Sequence, residues 1–133
     1  MTALDRFVHP PVETTLTRQF GGARPDIVCL CGSTRFSVAF REQNLRLTVA
    51  GLIVLSIGCD TKSDRDLFGI SDATDLKSRL DELHKRKIDL ADWVFVLNVD
   101  GYIGASTRSE IDYATRIGRP VRYLSDVESG WAA

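Results

Sequence analysis

Four short apolar runs punctuate the chain: Ile27-Val-Cys-Leu-Cys31, Leu52-Ile-Val-Leu-Ser56, Trp93-Val-Phe-Val-Leu97 and Val121-Arg-Tyr-Leu124. The first three are almost continuously apolar and rich in β-branched residues, the pattern of parallel strands covered on both faces. The fourth is more polar and suits a sheet edge. Between them lie helical periods. Phe36, Phe40, Leu47 and Ala50 form one stripe opposed by Arg41, Glu42 and Arg46, and Leu76, Leu80, Leu83 and Leu90 form a second opposed by Asp81, Glu82 and Lys85. A third helix, from about Thr107 to Ile117, stops at Gly118, and Pro120 forbids its continuation. This βαβαβαβ alternation predicts a parallel sheet with right-handed crossovers and helices on both faces.

The expected strand order is 2-1-3-4, in a single small α/β domain of three layers, Rossmann-like in the flavodoxin manner. Winding then reverses between strands 1 and 3. Ligands of open α/β sheets bind beyond the carboxyl ends of the strands at such a reversal. Two segments arrive there: the loop Cys31-Gly-Ser-Thr-Arg-Phe36 and the stretch Asp100 to Glu110.

Residues 1–24, with Pro10, Pro11 and Gly21-Gly22, hold no sustained period and read as an N-terminal arm packed on the surface or onto a neighbouring subunit. The regular domain occupies residues 25–126, and 127–133 form a C-terminal tail. With 133 residues, one core can be buried without staples. Seventeen basic against eighteen acidic side chains give no general attraction to a nucleic-acid polymer or an anionic membrane, so anion recognition must be local. The apolar runs fall short of the roughly 20 residues of a spanning helix, and the N-terminus lacks the order of a signal peptide, so a cytoplasmic protein is expected. Cys29 and Cys31 alternate along a strand rather than spacing like zinc ligands and read as reduced core residues, while Cys59 lies beyond strand 2. No metal is expected, and no cofactor.

The first loop combines a close-approaching glycine, Gly32, with the hydroxyls of Ser33 and Thr34 and the guanidinium of Arg35 ahead of a helix N-terminus, which favours a 5′-phosphate or carboxylate. A plain helix cap by Ser33 or Thr34 is the alternative. In the second segment, Thr107-Arg-Ser-Glu110 matches a capping box, which by itself is structural. Glu110 also shares a face with Ala114 and Ile117, and Gly101 and Gly104 precede it. A carboxylate in a helix's first turn, ionised by the helix N-terminus and half shielded, can attack an anomeric carbon or stabilise an oxocarbenium ion. His84, one of two histidines, either satisfies its nitrogens at the helix–sheet boundary or serves as general acid. The long connection 58–74 follows strand 2 and is either a lid, with Asp60 reaching the ligand, or a solvated loop. No Gly-x-Gly-x-x-Gly or Walker loop occurs.

Taken in order, Cys31-Gly32-Ser33-Thr34-Arg35, Leu90-Ala91-Asp92 before an apolar strand, and Glu110-Ile-Asp-Tyr-Ala114 followed by Gly118-Arg-Pro-Val121 resemble the nucleoside 2-deoxyribosyltransferase superfamily, with its nucleotide N-glycosidases, over about Ile27 to Leu124. The resemblance implies Glu110 as nucleophile, Ser33 and Arg35 in a phosphate loop, Gly104 to Ser106 beside the sugar, and a dimer or higher homo-oligomer. Cys29 stands where several members carry a tyrosine, and His84 where an aspartate assists catalysis. The resulting expectation is N-glycosidic cleavage, by hydrolysis or transfer, of a nucleoside 5′-monophosphate or nucleoside. Glu110 and His84 are the catalytic pair, and Gly32, Ser33, Thr34, Arg35, Phe36, Asp60, Tyr102, Gly104, Ser106 and Arg108 contact the substrate. The alternative is a non-catalytic nucleotide-binding module using the same crevice.

Overall fold

The computed structural model of the chain describes residues 24–57 and 73–127. Readings of the arm before Arg24, of Cys59 and Asp60, and of the tail beyond Val127 lie outside the described residues. Among the described residues these elements follow one another: β1 (Ile27–Cys31), α1 (Ser37–Val49), β2 (Ile53–Leu55), α2 (Ala73–Leu90), β3 (Trp93–Val96), a 3₁₀ turn (Val99–Gly101), α3 (Ala105–Arg116) and β4 (Val121–Tyr123). The four strands form one parallel sheet in the order β2-β1-β3-β4. Central β1 and β3 are buried along nearly their whole length, whereas β2 and β4 are the edges, each only partly covered.

Period-two alternation sorts the sheet residues to its two faces. Val28 and Leu30 of β1, with Trp93, Phe95 and the following Leu97, pack against Phe40 and Leu47 of α1 and against Leu124 and Val127. On the opposite face Cys29, Cys31, Val94 and Val96 pack against Ile88 and Ala91 at the end of α2 and Ala114 of α3. Both cysteines of β1 thus face the layer that carries α2 and α3. That placement builds the site.

The stripe expected on α2 is corrected. Leu83 and Leu90 are 51% and 64% exposed, and the buried face carries His84 and Ile88 instead. At 100° per residue, positions 80, 84, 88 and 91 stay over the sheet while 83 and 90 swing outward. A sorting by hydrophobicity put Leu83 and Leu90 in the stripe, whereas His84, expected at the helix–sheet boundary, does lie on the buried face.

Asp92 ties the start of β1 to the start of β3. Its Oδ2 accepts from the Ile27 amide at 2.7 Å, and its carboxylate receives the Arg24 guanidinium in a forked pair at 2.7 and 3.1 Å. At the far end of the sheet Lys87 Nζ donates to the carbonyls of Ser56 (2.6 Å) and Ile57 (3.3 Å), fastening α2 to the exit of β2.

Candidate functional site

Beyond the carboxyl ends of β1 and β3 lies a cleft of about 440 Å³, walled by α2 on one side and by the start of α3 on the other. Its floor and walls include Gly32, Ser33, Thr34, His84, Lys87, Tyr102, Gly104, Ser106 and Glu110. The two loops expected at the reversal of winding therefore do meet in one hollow.

Each loop is shaped by local sequence. After β1 the chain turns through Gly32, where an added Cβ would lie 3.2 Å from the Leu97 carbonyl oxygen and 3.3 Å from Leu97 Cβ. A side chain there would press the turn away from the end of β3 by a few tenths of an ångström. Ser33 Oγ accepts the Arg35 amide at 3.3 Å and its carbonyl accepts the Phe36 amide at 3.0 Å, closing the turn before α1. The serine thus caps the turn, and α1 itself, entered from Phe36, has no side-chain cap. After β3 the chain reverses through Asp100 and Gly101, both left-handed (φ 53° and 79°), conformations that aspartate tolerates and glycine prefers. This brings Tyr102 across to the first loop, where Arg35 stacks on its ring at 4.3 Å and donates to its hydroxyl at 3.3 Å, and Phe36 meets it edge-on.

The capping-box reading of Thr107 and Glu110 is overturned. Helix α3 begins at Ala105 with Gly104 as its N-cap and has no side-chain cap, and the Arg108 amide already bonds to the Gly104 carbonyl. Glu110 therefore sits in the second turn, not the first. Thr107 and Glu110 are both buried, at 4% and 7% exposure, on the face that meets the sheet. The reason is the extended Gly104, which lets Ala105 and Ser106 enter the helix early. The helix N-terminus is thus not what controls this carboxyl: burial raises its pKa, against the charge of His84 and a hydrogen bond from Cys31, which lower it.

His84 projects from α2 onto β1. Its Nε2 lies 3.5 Å from Cys29 Sγ and 3.4 Å from Cys31 Sγ, all three residues being buried. The hydrogen bond from Cys31 brings the Cys29 thiol down to about 6, against burial and with help from His84 and Lys87. Cys31 moves the other way, raised first by its bond to Cys29, then by burial and by Glu110. Burial opposes charge on His84, but the hydrogen bond and charge of Cys29, with Glu110, raise its pKa above the ordinary value, Lys87 opposing. The three donor atoms lie within 4.8 Å of one another and could offer a soft cation two sulfurs and a nitrogen. Without one, they already satisfy each other.

Of the residues expected to touch substrate, Gly32, Ser33, Thr34, Tyr102, Gly104 and Ser106 line the cleft together with Glu110 and His84. Three do not. Arg35 and Arg108 are exposed outside the lining, Arg35 turned onto Tyr102, and Phe36 backs Tyr102 from behind. Asp60 lies outside the described residues. Lys77, Asp81 and Lys87, absent from the expected set, line the α2 wall, where Lys77 donates to both Asp81 and Ser106. Their signal was present as positions 77, 81, 84 and 87, one side of a helix whose two neighbours in the stripe are Leu76 and Leu80.

Among the described residues no helix is long and apolar enough to cross a membrane. Comparison with family models, curated proteins and solved structures finds no match for this chain.

Proposed function

We propose that the protein cleaves the N-glycosidic bond of a nucleoside 5′-monophosphate or nucleoside. The observation that carries the reading is the meeting, in one cleft, of a buried carboxyl (Glu110), a buried imidazole (His84) and the Gly32–Thr34 turn with its hydroxyl side chains. The Glu110 carboxylate attacks C1′ as the C1′–N bond breaks, and the bonding electron pair leaves on the base nitrogen, which takes a proton from His84. Water then displaces Glu110 from C1′ and returns a proton to His84. A second base in place of water would give transfer. The sequence resemblance to nucleoside 2-deoxyribosyltransferases supports the same assignment of Glu110.

Incubation with a panel of ribo- and deoxyribonucleoside monophosphates, followed by chromatography of free base, tests the reading. His84→Ala should slow release by about 10²- to 10⁴-fold, the usual worth of a positioned proton donor. Equal release by wild type and Glu110→Ala would refute the role of the carboxylate.

A second reading, a nucleotide-binding module without turnover, is favoured by one observation: Glu110 is buried, and burial works against the charged carboxylate that attack on C1′ requires. Calorimetric binding of a nucleotide with no base released over long incubation would select it.

A further inference from the structure

We infer that Cys29 and Cys31 are positioning residues, a two-sulfur seat that grips Nε2 of His84 and leaves Nδ1 as the ring nitrogen that serves the cleft. As a statement about proton delivery the inference rests on the proposed reaction, but the seat itself does not.

The argument begins with strand register. Residues two apart on β1 point to one face, so Cys29 and Cys31 present both sulfurs to the layer of α2. His84 arrives from above with Nε2 at 3.5 and 3.4 Å from them, inside hydrogen-bonding reach for sulfur. Neither thiol is exposed, and Nε2 lies within reach of both sulfurs. An imidazole has only two nitrogens, and with Nε2 committed to sulfur the proton given to a leaving base is carried on Nδ1.

The same contacts bias where the protons reside. Nε2 faces both sulfurs at nearly equal distance, so positive charge on the ring and negative charge on a sulfur stabilise each other. The direction of each residue's shift agrees: Cys29 falls, Cys31 rises and His84 rises. Other charged groups facing the ring are Glu110 from α3, which reinforces its charge, and Lys87, one turn along α2, which opposes it. Asp81 acts on Glu110 from the same wall. A buried ion pair of thiolate and imidazolium thus does for His84 what a carboxylate partner does elsewhere: it fixes the ring's orientation and holds a proton ready at neutral pH.

The test is nitrogen-15 NMR of His84 in the intact protein across pH, beside thiolate absorbance in the ultraviolet. In wild type, Nδ1 stays protonated through neutrality, and a thiolate absorbance appears well below the ordinary thiol range. In Cys29→Ala the proton affinity of His84 falls about tenfold or more. The alkaline limb of kcat/KM for base release moves down with it while KM is unchanged.

An unaltered His84 titration in Cys29→Ala overturns the inference. So does a wild-type protein showing no thiolate absorbance below the ordinary thiol range, a result that needs no variant to fold. One zinc ion retained on purification by the two sulfurs and Nε2 would overturn it too. If the NMR titration behaves as described but no nucleotide is cleaved, the sulfur seat stands and only the glycosidic reading fails.

Discussion

Gly32→Ala gives a sharp measure of how tightly the first loop is built. The backbone at Gly32 is not left-handed, so conformation alone would welcome alanine, and the reduced freedom of the unfolded chain would stabilise the variant by about 0.4–1 kcal/mol. Packing acts the other way. The new Cβ would stand 3.2 Å from the Leu97 carbonyl oxygen, 3.3 Å from Leu97 Cβ and 3.4 Å from Phe40 Cζ. Phe40 can yield, since only the tip of its ring is involved. The Leu97 contacts cannot, because backbone and Cβ of that residue continue directly from β3 through the fully buried Leu97. Overpacking of this kind costs about 1–3 kcal/mol. The net expectation is a loss of about 0.5–2 kcal/mol, relieved in part by the turn lifting a few tenths of an ångström into the cleft. Urea unfolding at constant slope measures the loss, and titration with a nucleoside monophosphate should show weakened binding from the displaced Ser33 and Thr34 donors. A variant more stable than wild type, with unchanged affinity, would show that the turn does not rest on β3 and that the cleft's lip is not set by this contact.

Glu110→Gln should reduce base release by at least about 10²-fold, yet melt at a higher temperature than wild type near neutral pH. The sign follows from the raised carboxyl: its stabilising contribution is complete below the unfolded value of 4.5 and is lost as pH rises through the folded value, so the neutral amide gains only on the alkaline side. Calorimetric scans at pH 4 and pH 7.5 check this, and an equal advantage at both would contradict it. Lys87→Met should cost about 1.5–3 kcal/mol by chemical denaturation, because two carbonyls at the exit of β2 lose a charged donor. Asp92→Ala should cost more than Arg24→Ala: the first strips the Ile27 amide of its acceptor, while the second removes only a solvent-screened ion pair. Equal losses would mean that the amide bond contributes nothing.

The fold was legible because its central strands carry the signal of parallel sheet without interruption. Four runs, three crossovers and a polar last strand left one economical strand order, and the described residues adopt it. The meeting of the two loops followed from that topology. What was not legible depended on phase and start points. Helix α3 begins two residues before the apparent capping box, since a helix start is a matter of backbone angles at Gly104 that no side chain announces. On α2, leucine count outweighed angular position, so Leu83 and Leu90 were placed in a stripe from which they turn outward. The partnership of His84 with Cys29 and Cys31 joins residues more than fifty positions apart, and alternation along β1 revealed only that the two sulfurs share a side. Arg35 was assigned to the ligand from its place ahead of a helix N-terminus and from the resemblance, whereas Tyr102, 67 positions on, holds its guanidinium.

The order of the sheet divides the chemistry between two pieces of chain. Everything up to Ile57 supplies the glycine turn and both sulfurs; everything from Ala73 onward supplies the imidazole and the carboxyl. The cleft takes its lining from both portions, which meet where β1 pairs with β3. A chain cut between those points and expressed as two polypeptides would regain its cleft only on reassociation, which makes this small domain a natural two-part reporter of proximity.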